Sequence, residues 1–561
     1  MRCPPCARSV LTAALLPALA ACGGGTSATI GAPPPPPPPP STSPPPPSTT
    51  PPPPAVGSVD VTTYHNDNAR TGLNDRETAL TPAKVNVSSF GKLGFVAVDG
   101  KVDAQPLVLS ALSVNGATHN VLYVATEHDS VYAFDADSGQ TLWRVSLLRA
   151  GETPSDNRGC GQVTPEIGIT ATPVIDRGAG PHGTIYLVAM SKDAGGAYHQ
   201  RLHALDVTTG AGLDGGPTEI QASYPGTGDG GSGGRVIFDP GQYKERDALS
   251  LAGGVVYTAW ASHCDQRPYT GWVIGYDAGT LQQASVLDIT PNGNDAAFWN
   301  SGAGPAADDQ GNLYQLAGNG TFETTLDANG FPSQQDYGNA FLKLSTGGGK
   351  LAVSDYFNMF NTVAESDVDE DLGSGGALVL PDLVDGSGSI RHLAVGAGKD
   401  QNIYVVDRDD MGKFDPNRNA IWQELPGALA GAEFGMPAYF NGTVYYGAVG
   451  DVLRAYSIRD AKLSNTPTST TSTRFGYPGT TPGLSADGVN NGIVWAVENG
   501  PTAVLHAYDA GDLGKELYNS ALAPADRDRV GSGNKFITPT IANGKVYVGT
   551  ADGVAVFGLL P

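Results

Sequence analysis

A short pattern recurs through this chain at intervals too regular for an ordinary layered domain. Copies aligned on Tyr-Ala-Phe-Asp place Ala133 against Ala204, Gly275, Leu342, Val405, Ala455, Ala507 and Ala555, at separations of 71, 71, 67, 63, 50, 52 and 48 residues. Most copies are preceded by a strand ending in an aromatic: Tyr123, Tyr186, Tyr257, Tyr314, Tyr445, Trp495 and Tyr547. A proline-containing strand comes earlier still, at Pro106, Pro173, Pro305, Pro437, Pro482 and Pro539. The clearest copy, Val121 to Trp143, reads as two Val- and Tyr-rich strands about an Asp-Ser turn, then an Asp-x-x-Ser-Gly turn into a third strand. Strand–turn units at this period predict an all-β fold, an eight-bladed β-propeller of four-stranded blades. No long 3.6-residue period interrupts them, so alternating β/α folds are poor competitors. Residues 58–561 divide into eight blades averaging 63 residues. The last copy, Phe536 to Leu560, supplies only three strands. Phe90 to Asp99, ahead of the first copy, supplies the missing outer strand and closes the ring, removing two exposed edges.

Composition agrees with many turns between short strands: 75 glycines, 43 prolines and only 16% charged residues in 561. The net charge of −23 repels phosphate backbones, so no nucleic-acid partner is expected. Three segments are expected. Residues 1–22 carry Arg2 and Arg8, a short apolar run, and Leu19-Ala20-Ala21-Cys22, which resembles the bacterial lipobox. They read as an export signal ending in a lipidated Cys22, anchored to the outer membrane on its periplasmic or cell-surface side. Residues 23–57 form a disordered proline-rich linker whose core, 33–54, is a polyproline II stalk. Residues 58–561 are the propeller, expected as a monomer. Once Cys3 and Cys6 leave with the signal and Cys22 takes lipid, Cys160 and Cys264 remain. They are an even pair in an oxidising compartment and are expected to form a disulfide, two buried free thiols being the alternative.

Ala133-Phe-Asp135-Ala-Asp-Ser-Gly139-Gln-Thr-Leu-Trp143 resembles the tryptophan-docking motif of the quinoprotein alcohol dehydrogenase-like propellers. There the Trp packs between blades against the Ala and the Gly turn. The segment Tyr64-His-Asn-Asp67-Asn-Ala-Arg70-Thr, with Leu80-Thr-Pro-Ala-Lys-Val85-Asn, is similar to that family's N-terminal signature. The resemblance implies a centre that binds pyrroloquinoline quinone and calcium. Trp299 matches the Trp under the quinone, Lys399 the base that contacts the quinone oxygens, and Asn319 a calcium ligand. Asp265 lies near the position of a second calcium ligand. Glu365, Asp367, Asp369 and Asp371 occupy the stretch of the catalytic Asp, with Asp367 and Asp369 the expected carboxylates. The division of labour would be metal as Lewis acid, carboxylate as base and cofactor as hydride acceptor.

The chain departs from that pattern in lacking the adjacent-cysteine disulfide, the usual His-Asp pair and a Cys-x-x-Cys-His haem motif, so electrons would pass to an external acceptor. It also has no Gly-x-Ser-x-Gly, His-Glu-x-x-His or phosphate loop. Glu166, in an apolar strand, reads as either a channel residue or a hydrogen-bonded turn acid. Two function classes follow: a dehydrogenase of alcohols or sugars dependent on pyrroloquinoline quinone, and a non-catalytic propeller that binds protein or polysaccharide at the cell envelope.

Overall fold

The computed structural model describes residues 58–561, residue 214 excepted. The signal segment, Cys22 and the linker lie outside the described residues. Each of the eight aligned positions falls on the third strand of its blade, counted outward from the blade's own inner strand, so the repeat in the sequence is the blade in space. Blade 1 is Leu107–Val114, Ala117–Ala125, Ser130–Asp135 and Thr141–Ser146, hydrogen-bonded in that order. In blades 1, 2, 3, 6 and 7 the strand-ending aromatic pairs directly with the repeat's small residue, as Tyr123 with Ala133 and Trp495 with Ala507. The small side chain leaves room for the ring on the same face. In blades 4 and 8 the register moves by one, setting Tyr314 against Lys343 and Tyr547 against Val556. All six marked prolines stand immediately before an innermost strand, where a missing N–H costs no ladder bond.

The ring closes through its N-terminal strand. Phe90–Ala97 runs antiparallel to Gly553–Leu559 and completes blade 8 from outside. A second closure lies outside the repeat pattern. Residues 61–74 lie at the centre of the ring and make at least one hydrogen bond to every blade. Val61 exchanges two with Val108 of blade 1, and the Thr62 carbonyl accepts from Ile175 of blade 2. Asn68 donates to Leu251 O of blade 3 and accepts from Ala307 N of blade 4. The carbonyls of Ala69, Thr71 and Gly72 accept from Val379, Tyr439 and Leu484 of blades 5, 6 and 7, and Asn74 donates to Ile541 O of blade 8. Arg70 is wholly buried here, its guanidinium donating to the carbonyls of Tyr64, Leu249 and Pro305 and to the hydroxyls of Thr63 and Ser250. Each nitrogen finds an acceptor, which is what allows a cation to lie in the core without a carboxylate.

Between neighbouring blades a polar bolt recurs. Tyr123, Tyr186 and Tyr445, each on a second strand, donate to backbone carbonyls of the following blade at Val207, Ala278 and Ala510. Trp143 docks the same way, its indole donating to Val207 O at 3.0 Å while its ring covers Gly210. A Cβ at Gly210 would lie 2.7 Å from that ring, so the turn must be glycine for the docking to occur. Trp422 donates to Ala461 O and repeats the arrangement between blades 5 and 6, without the Gly turn that marks the motif in sequence.

Candidate functional site

Residues near the inner ends of the blades converge at one end of the ring axis and line a cavity of about 80 Å³. Trp299, Asn319, Lys399, Asp369 and Asp265, all singled out from the sequence, line it together with Asp371, Arg246 and Gln162. Asp367 does not. It is exposed at the end of the short helix Thr362–Asp367, two residues short of the first lining carboxylate. The acidic stretch enters the cavity only where it leaves that helix, so Asp371 takes the inner position instead.

The loop after the helix is held on both sides. Asn339 Oδ1 accepts from Leu372 N at 2.7 Å, and Lys399 N donates to Asp371 O at 2.8 Å. Gly373 lies so close to the backbone of Ala317 and Gly318 that a Cβ would meet Gly318 N at 2.3 Å. With the backbone fixed, Lys399 Nζ reaches Asp369 Oδ1 at 2.5 Å and Asp371 Oδ1 at 2.7 Å, and Asn319 Nδ2 donates to Asp369 Oδ1 at 2.7 Å. Burial raises the Asp371 carboxyl above the ordinary carboxylate range, more than Lys399 can offset. At Lys399 burial pulls the ammonium down, but Asp371 and Asp369 outweigh it and hold it above its usual value. Asn319 Oδ1 is buried and accepts no hydrogen bond.

Besides Lys399, one cation, Arg246, lines the cavity, and it belongs to a charged run. Lys244, Glu245, Arg246 and Asp247 are four consecutive charged residues, all buried. The Arg246 guanidinium stacks 4.6 Å from the Phe536 ring centre, and Lys244 Nζ stands 5.8 Å from the Trp299 ring centre. Burial, then the charge of Arg246, brings Lys244 down to about 7. Phe434, Tyr477 and Phe536 form the rim, with Tyr477 half-exposed and packed edge-on against both phenylalanines.

Cys160 and Cys264 are disulfide-bonded. The bond pins a loop of blade 2 to a loop of blade 3, and the lining residues Gln162 and Asp265 stand two and one positions beyond the two cysteines. Tyr269 donates to Asp265 Oδ1 at 3.0 Å. Glu166 accepts from His128 at 2.8 Å and is not a lining residue.

Asp369, Asp371 and Asn319 are the oxygen donors that a hard cation such as calcium takes. Turning the Asn319 amide over would bring its unpartnered Oδ1 towards Asp369. Among the described residues no group of three His, Cys, Asp or Glu is set to hold a metal by itself, so the amide oxygen would be needed. The donor types fit. The size fits only in part, since ligand sites commonly measure roughly 300–1,000 Å³, and a ring cofactor would have to turn the rim aromatics outward.

No family model matches the chain, and no curated protein matches it either. Solved structures do. The quinohemoprotein alcohol dehydrogenase of Comamonas testosteroni superposes with a TM-score of 0.59 at 14% identity, covering 89% of this chain and 80% of that one. One from Pseudomonas putida HK5 gives 0.55 at 14% identity over the same shares. A europium-containing methanol dehydrogenase gives 0.52 at 13% identity, covering 89% of this chain and 98% of that one. The fold is the quinoprotein dehydrogenase propeller. At these identities the likeness establishes the fold and leaves the chemistry to the site.

Proposed function

We propose that this protein is a dehydrogenase of alcohols or sugars that uses pyrroloquinoline quinone and calcium, exported and anchored through Cys22. The observation that carries the reading is the convergence of Trp299, Asn319, Asp369, Asp371 and Lys399 on one axial cavity in a propeller of the quinoprotein dehydrogenase type. When bound, the quinone supplies the hydride acceptor and the calcium ion the Lewis acid. Asn319, Asp369 and Asp371 would hold the cation, and Trp299 would floor the ring. Lys399 would donate to the quinone oxygens, exchanging one of its two carboxylate contacts for them. Asp371, buried and in contact with Lys399, would take the proton of a substrate hydroxyl. Electrons would leave to an external acceptor.

Purified full-length protein is incubated with the quinone and calcium, and absorbance, melting temperature and dye-linked oxidation of alcohols and sugars are recorded. A raised melting temperature and dye reduction are expected, both abolished in Trp299→Ala and Asn319→Ala. Absence of binding at saturating quinone would sink the proposal. Binding that survives both substitutions would sink the site assignment. The small volume of the cavity favours a second reading, a non-catalytic propeller that binds an envelope protein or polysaccharide. That reading predicts no response to the quinone at any concentration.

A further inference from the structure

Away from the axis a second cavity, of about 340 Å³, opens between the outer strands of blades 3 and 4, Gln283–Asp288 and Ala352–Phe357. Tyr224 reaches it from the strand Ser223–Pro225. Phe331, Ser333, Gln335 and Tyr337 come from the loop that joins the second and third strands of blade 4. That loop, residues 317–340, is well beyond the roughly 15 residues above which a loop in a compact domain is usually functional. It starts beside the axial cavity, where Asn319 stands, and its later part builds this one. Backbone bonds fix it in place: Tyr337 N donates to Ile289 O at 2.8 Å, Gly338 N to Thr321 O at 2.8 Å and Ser333 N to Thr325 O at 3.0 Å. The wall is therefore built before any ligand arrives.

The free groups in this cavity are uncharged. Tyr337 is 6% exposed, yet its hydroxyl makes no hydrogen bond among the described residues. A phenol buried this far normally finds a partner. The hydroxyl of half-buried Tyr224, the Ser333 hydroxyl and the Gln335 amide are also unengaged. No lysine, arginine or histidine lines the cavity, so an anion would find no countercharge. Lys413, over the Phe331 ring at 5.3 Å, is paired with Asp355 at 3.3 Å. The two lining carboxyl groups are committed elsewhere. Asp288 accepts from Thr270 Oγ1 at 2.6 Å and Thr290 N at 2.9 Å, and burial raises it to about 7. Asp327 Oδ1 accepts from Asn329 N and Phe331 N and holds its own turn. Glu323 and Asp336, which act on Tyr337 from outside the lining, accept from Gln334 N and Asn292 N.

We propose that this cavity is a binding site for a neutral saccharide. A sugar ring has an apolar C–H face and an edge of hydroxyls that both donate and accept. Tyrosine offers the complement in one side chain, an apolar body with a polar tip, and two of them meet here beside Phe331. Phenol, hydroxyl and amide can each donate and accept, so the free groups match hydroxyls and carry no charge to select an ion. The volume falls within the roughly 300–1,000 Å³ of ordinary ligand sites. The site holds under either reading of the axial cavity, because no residue lines both.

The full chain, free of quinone, is titrated by saturation-transfer NMR with glucose, galactose, N-acetylglucosamine, cellobiose and maltose. Glucose 6-phosphate and spermidine are the charged comparisons. At least one neutral sugar is expected to bind more tightly than either charged probe. Tyr337→Phe should weaken it about fivefold, as for one hydrogen bond lost, with an unchanged melting temperature. Ser333→Trp, at an exposed loop position, should fill the cavity and abolish binding, whereas Trp299→Ala at the axis should leave it intact. Binding that survives Ser333→Trp and is lost in Trp299→Ala overturns the site and assigns the sugar to the axial cavity. Tighter binding of a charged probe, binding indifferent to both loop variants, or no sugar bound at millimolar concentration also overturns it, and each leaves the proposed function standing.

Discussion

At the scale of single residues, burial governs this protein's ionisable groups. Glu433, beside the rim residue Phe434, is 1% exposed. Its Oε1 accepts from Gly435 N at 2.9 Å, and its Oε2 has no partner. Burial raises its carboxyl from 4.5 to about 8. In the unfolded chain the proton leaves near 4.5, whereas the folded chain keeps it to about 8. Across that window the unfolded state binds fewer protons, so this group's contribution to stability falls as pH rises. Glu433→Gln removes the penalty and keeps the bond to Gly435. The variant should be more stable than wild type at pH 8, by on the order of 1–3 kcal/mol, with the gap closing towards pH 4.5 in thermal melts. A gap independent of pH would contradict the buried neutral acid. The Lys244–Asp247 run shows the same dominance of burial. Its four adjacent charges are all buried. Lys244 and Glu245 end the strand Tyr243–Glu245, and Arg246 and Asp247 lead on to Ser250–Ala252 on the same partner strand.

At the scale of elements, the loops around the cavity owe their positions to cross-links between blades. The disulfide closes a stretch of 104 residues. By chain-entropy reasoning such a link contributes up to about 4–5 kcal/mol. Replacing both cysteines by serine should lower the melting temperature and loosen Gln162 and Asp265, read as faster amide exchange in residues 157–165 and 262–268. Under non-reducing denaturing conditions a 58–561 fragment should show no alkylatable thiol, and two would remove the bond. The cysteine pairing was legible because composition left two candidates. The carboxylates that line the cavity were less legible: Asp367, Asp369 and Asp371 alternate along the chain, and only the helix end at Asp367 decides which of them turn inward.

At the scale of the whole molecule, the ring is closed twice, by Phe90–Ala97 on blade 8 and by residues 61–74 at its centre. Deleting residues 58–100 should therefore unfold the entire domain rather than trim it, as shown by loss of the cooperative melt and by aggregation on size exclusion. A soluble monomer with an unchanged melting temperature would contradict this closure. The sequence by itself determined the blade number, the strand that completes the last blade and the prolines that open the inner strands, because each depends on local periodicity and turn chemistry repeated eight times. It also pointed to Trp299, Asn319, Lys399 and Asp369 through resemblance. Only the tertiary structure decided that residues 61–74 reach all eight blades, that Asp371 and not Asp367 lines the cavity, and that the charged run Lys244–Asp247 is buried. Those outcomes depend on which residues the closed ring brings to its axis, and no local pattern in the chain encodes that convergence.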